Sequence, residues 1–179
     1  MNIEKNISEK VIFDGKIVQL VLRDVLLPNG KIAKREIIHH QKAVAIVAFD
    51  GSDILMVKQY RTAVGKNMLE IPAGLLEEHE DALACAHREL QEETGYDAKQ
   101  MELLCAFYPS CGFTDEETYI YLATDLYESK LPEDEDEFIE LTKLSLASIP
   151  TFLAQHETLD GKTALGLSLF TLWYQKKAV

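Results

Sequence analysis

Glu89, Glu92 and Glu93 stand as E-x-x-E-E, and four further residues fall at fixed offsets around them. Gly74, Glu80, Arg88 and Gly95 complete the spacing G-x5-E-x7-R-E-x-x-E-E-x-G. Carboxylates grouped without Cys or His suit a hard divalent ion, Mg²⁺ or Mn²⁺, and Mg²⁺ commonly binds substrate phosphates as well. The chemistry to expect is metal-assisted work at a phosphate. An arbitrary E-x-x-E-E most often means a solvated helix face, so the outlying positions decide. With seven specified positions, each filled at a usage of roughly 7%, chance gives on the order of 10⁻⁸ per starting residue. The array is not an accident of composition.

A helix must carry it. Asp81 to Glu93 holds no Gly or Pro and is rich in Ala, Leu, Glu, Gln and Arg, which predicts a helix capped by Asp81 and stopped at Gly95. On a 3.6-residue wheel Leu83, Ala86 and Leu90 form the stripe expected to face the core. Glu89 and Glu93 stack one turn apart beside it, with Glu92 about 60° round from Glu89. Like charges at these spacings repel, and carboxylates near a helix C-terminus are unfavourable. A cation that neutralises them explains why the sequence accepts both costs. Arg88 points away from Leu90 and is suited to orient a neighbouring carboxylate through a bidentate bond.

The remaining elements frame that helix. The first forty residues read as an antiparallel meander, with turns at Asp14-Gly15 and Pro28-Asn29-Gly30. AVAIVAFD (43–50) and DILMVKQY (53–60) form a buried hairpin, and NMLEIPAG (67–74) a strand that runs into the array. Strands follow at 101–108 and 117–124, around the loop PSCGFTDE. Residues 129–137 form a charged loop, FIELTKLSL a strand, and ASIPTFLAQH a short helix with Pro150 in its first turn. Lys162 to Lys177 is a last helix, with Leu165, Leu169, Leu172 and Trp173 expected in the core. The pattern implies an α/β sandwich on a mixed sheet, divided as residues 1–40 and 41–179.

The chain has 179 residues and a formal net charge of −12. It carries no basic stripe, which excludes nucleic acid as a partner. Cys85, Cys105 and Cys111 are odd in number and lack metal-like spacing; Cys85 and Cys105 are expected as core fillers. No signal peptide and no apolar run near 18 residues is evident, so the chain reads as cytoplasmic, off the membrane, with reduced thiols.

The array is the signature of the Nudix hydrolases. From about residue 10 to residue 175 the chain resembles the ADP-ribose pyrophosphatase branch of that superfamily, through VKQYR ending at Arg61, LEIPAG, AFYPSCGFTDE and DEDEFIEL. The resemblance implies a Nudix-type α/β/α sandwich with a mixed sheet, plus an N-terminal antiparallel β-sheet exchanged in a homodimer. It implies Mg²⁺-dependent hydrolysis of ADP-ribose, a small nucleoside diphosphate sugar, to AMP and ribose 5-phosphate. Carried onto this sequence, Glu89 and Glu93 are metal ligands, Glu92 assists, and the Ala73 carbonyl is a further ligand where Gly74 permits the loop. Arg61 holds the pyrophosphate, and Arg35 with Glu36 contacts the nucleotide.

A pyrophosphate repels nucleophiles, and metal at Glu89 and Glu93 would offset that repulsion and acidify a water. The general base is then expected from the acidic loop 134–137, with Glu137 first and Glu135 second. Two departures from the branch bear on specificity. Pro109-Ser110-Cys111-Gly112 replaces the usual Ser-Pro-Gly, which leaves Cys111 either exposed near substrate or a buried inert thiol. Ile17 stands where relatives offer an aromatic ring to adenine, so Arg35 must supply much of any stacking. The alternatives are another nucleoside diphosphate sugar, GDP-mannose for example, and a non-catalytic ADP-ribose-binding domain, which the intact Glu89, Glu92 and Glu93 disfavour.

Overall fold

The computed structural model describes residues 2–132, 138–155 and 158–177. The chain forms two compact units, one running up to Lys42 with Tyr108–Glu117 added, the other made of Ala43–Phe107 and the residues from Thr118 on.

The first unit is an antiparallel meander of β1 (Lys5–Asp14), β2 (Val18–Leu26) and β3 (Ile32–His40), in spatial order β1-β2-β3. Gly30, at φ 81, closes the Pro-Asn-Gly turn in the left-handed region that glycine tolerates best. Val21 and Val25 are buried, whereas every residue of β1 is exposed.

The second unit is a mixed sheet between helices. Its elements are β4 (Ala43–Phe49), β5 (Asp53–Arg61), β6 (Lys66–Glu70), β7 (Ala73–Leu75), α1 (Ala82–Thr94), β8 (Tyr96–Phe107), β9 (Thr118–Glu128), β10 (Glu140–Ser145), α2 (Ile149–Ala154) and α3 (Gly161–Lys177). The sheet order is β10-β5-β4-β9-β8, with β6 on β5 and β7 on β4. β4 and β9 run parallel, and the other pairs are antiparallel. The unbroken apolar run of β4 is explained by burial on both faces. Val44, Ile46 and Ala48 pack with Cys85, Ala86 and Leu90 of α1. Ala45 and Val47 pack with Ile149 of α2 and with Leu167 and Phe170 of α3. Such alternation is what a central strand requires. Gly166 lets α3 approach closely, since a Cβ there would stand 2.8 Å from Ile71 Cδ1.

Four details differ from the sequence expectations. The 67–74 strand is two pieces, because Pro72 has no N–H to continue a ladder, although its carbonyl still accepts from Ile46 at 2.8 Å. The strands expected at 101–108 and 117–124 are both longer; β8 starts in the polar stretch after Gly95, at an edge of the sheet where polar side chains meet water. Leu83 is 43% exposed, since the first turn of α1 projects past the core that Cys85, Ala86 and Leu90 fill. Leu172 is also exposed, while Leu165 and Trp173 pack at the core margin.

Candidate active site

Both ends of α1 form as their residue types require. Asp81 Oδ1 accepts from the amides of Leu83 and Ala84, each at 3.0 Å, and Gly95 ends the helix at φ 76 with its N–H on the Gln91 carbonyl. Burial of Cys85, Ala86 and Leu90 fixes the rotation of the helix about its axis. That rotation carries Glu89 and Glu93 to the edge of the buried face, at 8% and 7% exposure.

β7 meets them there. A Cβ on Gly74 would overlap the Glu89 carboxylate where it now lies, so any side chain there must displace that flexible end. One residue earlier, the Ala73 amide donates to Glu93 Oε2 at 2.8 Å. Gly74 therefore gives Glu89 its present seat, and does not serve a left-handed backbone.

Arg88 holds the rest of the cluster. Its Nε and Nη2 donate to the two oxygens of Glu80, both at 2.9 Å. Its Nη1 donates to Glu89 at 2.7 Å and to Glu92 at 2.8 Å, and Nη2 also reaches the Leu75 carbonyl at 3.0 Å. The Glu80 bond is the main cause that raises the Arg88 pKa, so the guanidinium stays charged. In return it holds the Glu80 carboxyl at about 2, against the smaller upward push of burial. Cys85 is pushed up by burial and stays a thiol.

Among the described residues, no three His, Cys, Asp or Glu side chains already converge on a metal-sized point. Arg88 holds Glu89 and Glu92, and the Ala73 amide holds Glu93. The donor chemistry still fits a hard divalent ion, because Glu80, Glu89, Glu92 and Glu93 are all oxygen donors grouped around Arg88. That excess of buried negative charge calls for a cation.

Arg61, at the end of β5, lies on the same unit. Its Nε and Nη2 donate to Glu70 Oε1 and Oε2 at 2.8 and 2.9 Å, and its side chain remains 39% exposed. The Glu70 bond is the main cause that raises the Arg61 pKa, with smaller contributions from the charges of Glu93 and Asp160. Glu70 is 2% exposed and also takes the Lys162 ammonium. Sequence reasoning missed this pair. The available signal was a lone carboxylate inside the apolar run LEIPAG.

On the first unit, Arg35 and Glu36 are neighbours in β3 and so project from opposite faces. Arg35 is bound by Glu4, at 2.5 and 3.1 Å. Glu36 is exposed, and Ile17 is exposed in the β1–β2 connection. The loop after β8 is stitched to β3. The Ile38 amide donates to the Phe113 carbonyl at 2.7 Å, Asp115 receives the His40 amide at 2.9 Å, and Asp115 also pairs with His39 at 2.5 Å. Neither His39 nor Asp115 was singled out by the sequence, since only chain closure brings them together. Cys111 is exposed. Glu135 and Glu137 lie outside the described residues.

A family model described as the NUDIX domain matches residues 39–163. The chain belongs to the Nudix family. It is 44% identical over 172 residues to an ADP-ribose pyrophosphatase of Bacillus subtilis (strain 168), covering 94% of this chain and 93% of the relative. It is 43% identical to a methanol dehydrogenase activator of Bacillus methanolicus, with the same coverage. Among solved structures, an ADP compounds hydrolase superposes with a TM-score of 0.89 over 97% of this chain and 95% of the other, at 21% identity. The Nudix box therefore sits in a Nudix fold, and the protein is a Nudix hydrolase. The family's chemistry takes a divalent metal. No described helix is long and apolar enough to cross a membrane.

Proposed function

We propose that this Nudix hydrolase cleaves the pyrophosphate of ADP-ribose to AMP and ribose 5-phosphate, with Mg²⁺ as its metal and Mn²⁺ able to replace it. The observation that carries this reading is the clasp of β7 on α1. Gly74 and the Ala73 amide seat Glu89 and Glu93 at the edge of the core, and Arg61 stands on the same unit. The likeness to an ADP-ribose pyrophosphatase over nearly the whole chain supports the substrate.

Glu89 and Glu93, with Glu92 and the Ala73 carbonyl, would hold the metal. Bound there, a divalent ion offsets charge on the pyrophosphate and lowers the pKa of a water. Arg88 keeps Glu89 and Glu92 in place through their shared Nη1 contact. Arg61 presents a fixed positive charge to the anionic oxygens. Glu137, then Glu135, would take the proton from the attacking water. Arg35, with Glu36 and Ile17, would meet the nucleotide, and the exposed face of β1 would be covered by a second copy in a homodimer.

The test is a hydrolysis screen with Mg²⁺ over ADP-ribose, GDP-mannose, ADP-glucose, NADH and diadenosine polyphosphates. ADP-ribose should give the highest kcat/KM, and Glu93→Gln should lower it by orders of magnitude. A preference for GDP-mannose would assign the same machinery to another nucleoside diphosphate sugar. The near-equal likeness to a methanol dehydrogenase activator supports a second reading, action on a dehydrogenase. Adding methanol dehydrogenase to the assay tests it, since a rise in that enzyme's turnover would favour it.

A further inference from the structure

Arg61 is held more firmly than an arginine on a strand end requires. Glu70 pairs in register with Val57, four residues before Arg61. The arginine side chain therefore folds back along the β5–β6 hairpin to reach it. Both Glu70 oxygens are used, one for Nε and one for Nη2, and this two-point fork fixes the plane of the guanidinium as well as its position. Lys162, in the first turn of α3, binds the same carboxylate. The start of α3 is itself locked to this segment. Asp160 Oδ2 caps it by accepting from the Thr163 amide at 2.9 Å and from Thr163 Oγ1 at 2.7 Å, and Thr163 Oγ1 accepts from the Ile71 amide at 3.0 Å. Asp160 Oδ1 lies 3.1 Å from Lys162.

We infer that Glu70 is a positioning residue that aims Arg61 at the diphosphate, and that Lys162, shared with Asp160, offsets part of the Glu70 charge. The inference rests on the proposed role of Arg61 at the pyrophosphate. A buried carboxylate alone would align the arginine yet neutralise it toward an anion. A second cation on the same carboxylate eases that conflict, and only in part because Lys162 also pairs with Asp160. Ordering the long arginine side chain during folding also spares that entropy cost when substrate binds. The arrangement makes the first turn of α3, far along the chain from the Nudix box, part of the substrate-binding apparatus.

The sign of one substitution separates alignment from simple electrostatics. Glu70→Gln removes a negative charge, so a purely electrostatic role predicts tighter anion binding and a lower KM. Alignment predicts the reverse, because in either amide orientation one fork position becomes an NH₂ that cannot accept from Arg61. The experiment measures kcat and KM for ADP-ribose, and Tm, in full-length Glu70→Gln, Lys162→Met, Arg61→Ala and the Arg61→Ala/Glu70→Gln double variant. We expect Glu70→Gln to lower kcat/KM about tenfold or more, mainly through KM, and Lys162→Met to raise KM several-fold. In the Arg61→Ala background, Glu70→Gln should change kcat/KM by less than about twofold, because it acts through the arginine. If the two losses multiply independently, or if Glu70→Gln leaves or improves kcat/KM, the inference is overturned. Where Gln prevents folding, Glu70→Asp retains the charge, shortens the fork, and carries the same cycle. An unchanged rate in Arg61→Ala would instead defeat the role of Arg61 itself.

Discussion

The Glu89 carboxylate fills the space in which Gly74 would carry a side chain. Gly74 lies in β7 with no left-handed backbone to protect, so Gly74→Ala tests this contact and nothing else at that position. The methyl group must displace the carboxylate end of Glu89, which is flexible and can move at little cost to the fold. We expect kcat/KM to fall about a hundredfold, with the metal concentration needed for half-maximal rate rising, since a small misplacement of a ligand is costly. Far-ultraviolet circular dichroism should stay close to wild type. A variant with normal activity and normal metal dependence would show that Glu89 does not need this seat.

Arg88 joins Glu80, Glu89 and Glu92, and no conservative change preserves all its bonds. Arg88→Met keeps much of the stem and removes the charge, which leaves three carboxylates without their shared donor. Breaking a largely buried pair from one side costs about 3–5 kcal/mol, and partial exposure places this one near the lower end. Urea unfolding should show that loss. A divalent ion should recover part of it, so Mg²⁺ should raise the Tm of Arg88→Met more than that of the wild type. Equal shifts in the two proteins would mean that the freed carboxylates do not gather metal.

The same pair sets a pH dependence. The Arg88 bond holds Glu80 at about 2, below its ordinary 4.5. A depressed carboxyl stabilises the fold above the unfolded pKa, and that contribution is lost as pH falls toward the folded pKa. The window here runs from about 4.5 down to about 2. At pH 6 the wild type should exceed Glu80→Gln by about 1–2 kcal/mol, the linkage value for such a shift reduced for solvent screening. The gap should close as pH approaches 2. A gap that stays constant with pH would mean that Glu80 contributes through packing alone.

Much of this was legible in the chain because local rules decide it. The Asp81 cap, the Gly95 stop and the two-faced burial of β4 follow from residue type and period. The Arg88 bonds to Glu89 and Glu92 follow from a long side chain next to carboxylates on one helix, whereas its fork on Glu80 reaches back to the loop before that helix. Leu83 misled because a helical wheel assigns a face without saying where along the axis the core ends. Pro72 was read through, although its missing N–H is a local signal for a break between β6 and β7. The Glu70–Arg61–Lys162 cluster and the His39–Asp115 clasp were not legible. Each joins residues that only sheet register or chain closure brings together, and no spacing in the sequence encodes that distance.

The last prediction concerns β1. It is an edge strand of ten residues, and all of them are exposed, including Ile7, Val11, Ile12 and Phe13. A long edge with large apolar side chains invites pairing unless something covers it. Three of its polar side chains bond to β2, Ser8 to Asp24 at 3.0 Å, Glu9 to Arg23 at 2.5 Å and Asp14 to Gln19 at 3.0 Å. The exposed apolar side chains suit pairing with a second copy of the same strand. Val11→Lys with Phe13→Lys should therefore convert a wild-type dimer to a monomer in sedimentation equilibrium, while unit two keeps its fold. If Arg35 reaches the nucleotide only within the dimer, KM for ADP-ribose should rise in parallel with dissociation. A wild type that sediments as a monomer at micromolar concentration would rule out the dimer, and a dissociated variant with unchanged KM would confine the nucleotide site to one chain.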